Sequence, residues 1–91
     1  MAHPSPLVSF VQWKPLLRWY FGWEWPTALR VLRAESGGRP TASNGQYKGL
    51  MQMGAYWYSS VWHFNPYDAE QNIRHAKMLR DWCGWSQWST Y

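Results

Sequence analysis

The chain is poor in charge and in cysteine. Asp, Glu, Lys and Arg make up 15% of its 91 residues, and Cys83 is the single cysteine. Disordered chains are highly charged and poor in aromatics, whereas 20% of this chain is aromatic and nine residues are tryptophan. Because one cysteine cannot form an internal disulfide, the fold must hold without that covalent link. These shortages exclude both a disordered chain and a disulfide-stapled scaffold.

Long apolar runs are also missing. No apolar stretch approaches the ~18 residues that a transmembrane helix requires. The N-terminus has no positive charge before Lys14, and the apolar stretch 7–11 is too short for a signal peptide. We therefore expect no signal peptide and no membrane partner.

The net charge of +4 is spread along the chain, without the basic block that is typical of a nucleic-acid-binding arm. A basic protein suits an anionic partner such as the bacterial cell wall, and we expect no nucleic-acid partner. His3, His63, His75 and Cys83 lack the spacing of metal ligands. No phosphate-binding glycine loop is present either, so we expect neither a metal nor a cofactor.

Apolar spacing predicts an all-α fold, with a loose arm at 1–12 and a single domain at 13–91. A short helix follows Pro15 and ends at Gly22, and a second opens at 25–27 and stops at 37–38, where two glycines stand together. The stretch 37–49 is predicted as a loop with a minor extended segment. One or two short helices are expected between residues 50 and 61.

The clearest amphipathic helix lies near the C-terminal end. It can begin at Asn65-Pro66 or at Asp68, whose partner Gln71 offers a capping box. Apolar residues at spacings of three and four predict its buried face, and the charged residues between them predict its solvent-facing side. The helix is expected to end at Gly84. The apolar set is Ala69, Ile73, Ala76, Leu79 and Trp82, and the outward set is Arg74, Lys77, Arg80 and Asp81.

Glu35 is the leading candidate for chemistry. It ends a helix whose apolar residues Val31 and Leu32, with Leu50 across the loop, are expected to desolvate it. Desolvation raises a carboxyl pKa, and a protonated Glu can serve as a general acid. The structural alternative is a helix-terminal Glu without a role, at a dipole cost of about 0.3–1 kcal/mol.

A motif extends from this glutamate. Glu35-Ser36 is followed by Pro40, Ala42 and Ser43, and then by Gly49-Leu50-Met51-Gln52; Asn72-Ile73 and Gly84-Trp85-Ser86-Gln87-Trp88 come later in the chain. The first part resembles the soluble lytic transglycosylases, and the second resembles the resuscitation-promoting factors and related small muralytic domains of actinobacteria and phages. Together the matches cover residues 28–62 and 65–88.

The resemblance implies a lysozyme-like fold that cleaves peptidoglycan between N-acetylmuramic acid and N-acetylglucosamine. Glu35 would be the sole acid and base, and the muramoyl C6 hydroxyl would close an anhydro ring. A hydrolysing muramidase is the alternative within the same class, and it would need a second carboxylate from Glu24, Asp68, Glu70 or Asp81. A non-catalytic glycan-binding module is the alternative from another class, and a nucleic-acid binder is a weaker one.

Four further residues are candidates for binding the glycan. The resemblance implies hydrogen bonds from Ser43 and Gln52 to sugar, while Tyr47 is expected at the cleft rim and Trp57 as a stacking platform. Three of them have a structural alternative: turn formation for Ser43, helix packing for Gln52 and core packing for Trp57. Trp62, Trp85 and Trp88 are weighed in the same way, as core residues or sugar contacts.

The sequence departs from the family in two places. The larger transglycosylases have a downstream Tyr-Asn motif, which is missing here. Resuscitation-promoting factors often have a disulfide whose two positions correspond to Ala34 and to the Thr90-Tyr91 region. We expect a monomer, and the resemblance implies that it acts at the bacterial cell wall, from outside the cell or as part of a virion.

Overall fold

The computed structural model describes residues 10–91, and their fold is mainly helical, with 61% helix and 6% strand. The elements in chain order are helix α1 (Lys14–Phe21), a 3-10 turn (Gly22–Glu24), helix α2 (Trp25–Ser36), strands β1 (Ser43–Asn44) and β2 (Tyr47–Lys48), a π-helix (Tyr56–Val61), helix α3 (Ala69–Cys83) and a 3-10 turn (Trp85–Gln87). The helical class and the extended segment within 37–49 are thus confirmed. A two-stranded antiparallel hairpin pairs Ser43 with Lys48 and Asn44 with Tyr47.

The ends of α2 follow from its sequence. Pro26 lies in the first turn, where its missing N–H costs no helical hydrogen bond. Gly37 ends the helix at φ 63° and donates its N–H to the Arg33 carbonyl at 3.0 Å. The Ser36 hydroxyl donates to the Leu32 carbonyl and accepts from the Gly38 N–H. This compact ending places Glu35 in the last turn of the helix.

Helix α3 begins in the later of its two predicted registers. The Asp68 carboxylate accepts the Gln71 N–H at 2.9 Å and so caps the helix. The Gln71 side chain accepts the Asn65 N–H at 2.9 Å, which fixes the preceding turn as well.

Two assignments at the end of α3 are wrong. Trp82, predicted on the buried face, is 69% exposed, while Arg80, predicted to face solvent, forms an ion pair with Glu24. The physical reason lies beyond the helix: Trp85 stacks on Phe21 with ring centroids 5.4 Å apart. Because Trp85 fills the core at this end, the indole of Trp82 remains outside.

The core lies between the three helices and the 49–53 turn. Its buried residues are Phe10, Leu17, Phe21, Ala28, Val31, Leu32, Leu50, Met51, Met53, Phe64, Ile73, Ala76, Leu79, Trp85 and Trp88. Phe10 belongs to the stretch predicted as an arm, so residues 10–12 are attached to the domain by at least this side chain. Residues 1–9 of the predicted arm are outside the described part of the chain.

The fully buried side chain of Asn72 joins α3 to the turn that follows the hairpin. Its amide oxygen accepts the Met51 N–H at 2.8 Å. Its amide nitrogen donates to the carbonyls of Lys48 at 3.0 Å and Pro66 at 2.9 Å. Gly49 completes this junction, since a Cβ there would lie 2.0 Å from the Pro66 oxygen and 2.2 Å from Asn72 Nδ2.

We predict that Gly49→Ala lowers the free energy of unfolding by about 3 kcal/mol or more. The added methyl would strain a backbone at φ +85° and push into the Asn72 junction. Denaturant unfolding measures the loss. Gly45→Ala is the matched control, because Gly45 also has a positive φ but nothing within 4 Å, so only about 1 kcal/mol is expected. Equal losses in the two variants would contradict the close packing at Gly49.

Candidate active site

Glu35 lines a cleft of about 290 Å³. The cleft is built from the end of α2, the hairpin, the 49–53 turn and the C-terminal tail. Its lining residues are Glu35, Asn44, Tyr47, Gln52, Gln87, Trp88 and Ser89. Val31, Leu32 and Leu50, which the sequence predicted as neighbours of Glu35, are buried in the core at 0% exposure and do not line the cleft. The residues that do line it with Glu35 are mainly polar.

A second depression of about 250 Å³ adjoins the first. The two share Tyr47, Gln52, Gln87 and Trp88, so together they form one groove. Tyr56 and Trp57 line the second part. The carboxylate of Glu35 thus lines one part of the groove, and these two aromatic side chains line the other.

The half-buried Glu35 accepts a hydrogen bond from the Thr90 hydroxyl, with 2.5 Å between Thr90 Oγ1 and Glu35 Oε2. A carboxyl group held by such a bond has fewer orientations open to it, because a hydrogen bond is directional. Thr90 thus positions Glu35 from 55 residues further along the chain.

The tail that carries Thr90 is itself anchored. Arg30 Nη1 donates to the main-chain oxygens of Thr90 at 3.3 Å and Tyr91 at 2.8 Å. The Tyr91 ring stacks on Trp85, with centroids 5.6 Å apart and an interplanar angle of 3°. Trp88, which is 5% exposed, donates its Nε1–H to the Met51 carbonyl at 2.8 Å.

Gln52 has two roles in this geometry. Its Nε2 donates to the carbonyls of Ala42 at 3.1 Å and Gly49 at 2.8 Å, and its backbone adopts φ 51°. The side-chain nitrogen therefore ties the loop to the turn, as the packing alternative expected. The residue also lines both parts of the groove, as a glycan-binding role requires.

Of the other predicted binding residues, Tyr47 and Trp57 line the groove and Ser43 does not. Tyr47 is 47% exposed and lines both parts, while Trp57 lines the second part and stacks on Trp62 at 5.0 Å. Ser43 lies outside both lining sets, exposed on β1, where its hydroxyl accepts from the Lys48 ammonium. Its neighbour Asn44 lines the groove in its place.

Glu24 is engaged away from the groove. Its carboxylate pairs with Arg80 and accepts the Trp85 Nε1–H at 3.2 Å. This side chain is 16% exposed, so Glu24 is part of an internal ion pair rather than a free surface acid.

The three remaining acids also have structural partners. Asp68 caps α3, and Asp81 pairs with Lys77 and Arg80. Glu70 accepts the Tyr20 hydroxyl at 2.7 Å, and this hydrogen bond raises the pKa of Tyr20. Since all five acids of the chain lie within residues 10–91, Glu35 is the single carboxylate among the residues that line the groove.

Within the described part of the chain, no group of three or more His, Cys, Asp and Glu is placed to hold a metal ion. None of the helices between residues 10 and 91 is long and apolar enough to cross a bilayer.

Sequence reasoning missed Thr90 and the tail residues Gln87 and Ser89. Trp85 and Trp88 were recognised as motif residues, but their structural role is to pack in the core. The available signal was Gly84, which ends α3 and adopts φ 76°. A helix that ends directly before two tryptophans indicates that these side chains pack back onto the domain, but it does not indicate which part of the domain the tail contacts.

Comparisons of the chain with protein-family models, with characterised proteins and with solved structures find no match. Function must therefore be argued from the groove and its residues.

We predict that Thr90→Val slows turnover of peptidoglycan, the substrate that the resemblance implies, by about tenfold. Loss of a side-chain hydrogen bond costs about 0.5–1.5 kcal/mol, and here it also frees the Glu35 side chain to rotate. Thr90→Ser retains the hydroxyl and should stay near the wild-type rate. Steady-state kinetics with thermal unfolding of each variant provides the measurement, and the loss should fall on kcat. Equal rates for the Val and Ser variants would remove Thr90 from a positioning role.

Proposed function

We propose that the protein is a lytic transglycosylase with a lysozyme-like fold, cleaving the β-1,4 bond between N-acetylmuramic acid and N-acetylglucosamine. The observation that carries the proposal is the isolation of Glu35. It is the single acid lining the groove, and every other acid is hydrogen-bonded or ion-paired elsewhere.

A single carboxylate suits this reaction better than hydrolysis. Most glycosidases that hydrolyse their substrate use two carboxylates on either side of the scissile bond. An intramolecular attack by a hydroxyl of the sugar itself needs one group that gives a proton and then takes one. Glu35 satisfies that requirement alone, which favours transglycosylation over the muramidase alternative.

In the proposed reaction the protonated Glu35 donates its proton to the glycosidic oxygen as the bond from the muramoyl C1 breaks. The N-acetylglucosamine side then leaves as an alcohol. The carboxylate that remains takes the proton of the muramoyl C6 hydroxyl, whose oxygen bonds to C1 and closes the 1,6-anhydro ring. The proton count balances, and Glu35 returns to its starting state without any water being consumed.

The remainder of the groove supports a glycan ligand. Tyr47 and Trp57 offer aromatic faces, and the C–H groups of a sugar ring pack well against such faces. Asn44 and Gln87 present amides beside the carboxylate, which can both donate and accept hydrogen bonds to sugar hydroxyl and acetamido groups. This mixture of aromatic and amide side chains is typical of carbohydrate sites.

We predict that Glu35→Gln abolishes release of soluble fragments from purified peptidoglycan while binding to it is retained. The amide has nearly the same shape but cannot deliver a proton to the glycosidic oxygen. A turbidity assay measures activity, and co-sedimentation with the same peptidoglycan measures binding. A loss of at least a thousandfold is expected, on the order of what a general acid and its second role as base contribute together.

The matched control is Glu70→Gln, which removes an acid from outside the groove and should leave turnover within about twofold. Lysis that persists in Glu35→Gln would show that another group is the acid. Binding without lysis in the wild-type protein would favour the non-catalytic wall-binding module.

We further predict that the muramoyl ends of the products lack the elements of one water, relative to the reducing ends made by a muramidase. Mass spectrometry of the soluble fragments separates the two outcomes directly. Reducing ends would establish hydrolysis. A group other than a second carboxylate would then have to activate the water, because Glu35 is the single acid that lines the groove.

A further inference from the structure

The outer surface of α1 presents aromatic side chains to solvent, away from the groove. Trp19 is 80% exposed and Trp23 is 87% exposed. Leu17 and Phe21 anchor the inner surface of the helix at 0% and 3% exposure. An indole that remains in water lacks the stabilisation that burial usually gives so large a side chain. We therefore expect these positions to contact a partner.

Three of the exposed residues follow one helical row. Positions 11, 15 and 19 are four apart, a spacing that repeats along one side of a helix. Val11, Pro15 and Trp19 line a shared open depression, and the exposed Trp23 lies in the 3-10 turn that follows α1. We refer to Val11, Pro15, Trp19 and Trp23 as the outer row.

Two cations border the outer row. Lys14 and Arg18 line the same depression, and both lie over the face of Trp25, at 5.3 and 6.0 Å from its ring centroid. Residues 1–23 contain no acid, and Glu24, the first along the chain, is committed to Arg80. The surface is therefore apolar along its centre and positive at its edge, without a compensating negative charge on α1.

We propose that the outer row docks on the surface of a bilayer that contains anionic phospholipid. Indoles prefer the boundary between headgroups and acyl chains, and cations at the same depth meet the lipid phosphates. The aliphatic side chains of Val11 and Pro15 favour this partner over a nucleic acid or a glycan, because neither offers an apolar medium for them. Our expectation of no membrane partner rested on the missing long apolar runs, which a surface-bound segment does not need.

The proposal adds a second surface to the protein and does not depend on the proposed activity. The test is flotation of the whole protein with vesicles of phosphatidylcholine alone or mixed with phosphatidylglycerol. Binding should require the anionic lipid and weaken as salt is raised, because exposed charges are screened.

Two double variants separate the roles of the row and its border. Trp19→Ala with Trp23→Ala should weaken partitioning by about tenfold or more through lost apolar contact. Lys14→Gln with Arg18→Gln should weaken it by about 30-fold, at the usual contribution of each cation near an anionic surface. Arg74→Gln with Lys77→Gln on α3 is the matched control, since it lowers the net charge equally and should retain binding. Thermal unfolding of each variant checks that the fold is kept.

Several outcomes would overturn the proposal. Equal binding of the wild-type protein to both kinds of vesicle, or binding to neither, would contradict a site for anionic lipid. An equal loss of vesicle binding in the α3 control and in the Lys14/Arg18 variant would show that binding depends on net charge alone. If the Trp19/Trp23 variant instead lost affinity for purified peptidoglycan, the row would belong to wall binding. Concentration-dependent association of the wild-type chain in sedimentation equilibrium, lost in the same variant, would assign the row to a second copy.

Discussion

The fold depends on one buried amide. Asn72 uses its oxygen and its nitrogen to bond three main-chain groups, belonging to Lys48, Met51 and Pro66. The Lys48 carbonyl also accepts the Met53 N–H, but a buried main-chain group left without a partner costs about 1–3 kcal/mol, so the bonds to Met51 and Pro66 make Asn72 hard to replace. Together with the burial of Leu50 and Met51, this amide fixes the turn after the hairpin against α3.

The groove depends on the same junction through a short chain of contacts. The Met51 N–H is held by Asn72 and its carbonyl by the indole of Trp88, so one residue connects α3 to the tail. Trp88 in turn places Thr90 beside Glu35, and the Arg30 side chain secures the tail from α2. Hydrogen bonds made by Asn72, Trp88, Arg30 and Thr90 therefore hold the Glu35 side chain in place, in a domain that has no disulfide to do so.

The sequence was sufficient where the signal is local. A proline in the first turn and a glycine at the end act on their immediate neighbours, which is why the ends of α2 could be predicted from Pro26 and Gly37. The position of Glu35 in the last turn followed from that glycine. Gln52 was assigned to the groove by the resemblance, and Tyr47 from its place between Ser43 and Gln52.

The sequence was insufficient where packing is decided at long range. Apolar spacing alone placed Trp82 in the core, but the available space is taken by Trp85, which lies beyond the end of the helix. For the same reason Arg80 turns inward to Glu24. The contact between Thr90 and Glu35 joins residues 55 positions apart, so no local pattern could reveal it.

The low number of acids explains how structure and proposed chemistry can coexist in so short a chain. Asp68 begins α3, Glu24 and Asp81 fix its last turn through Arg80, and Glu70 connects it to α1 through Tyr20. Each of these bonds stabilises α3, which carries Asn72. Use of any of these four acids at the groove would break a contact that supports α3. A mechanism that uses one carboxylate and a hydroxyl of the substrate leaves all four contacts in place.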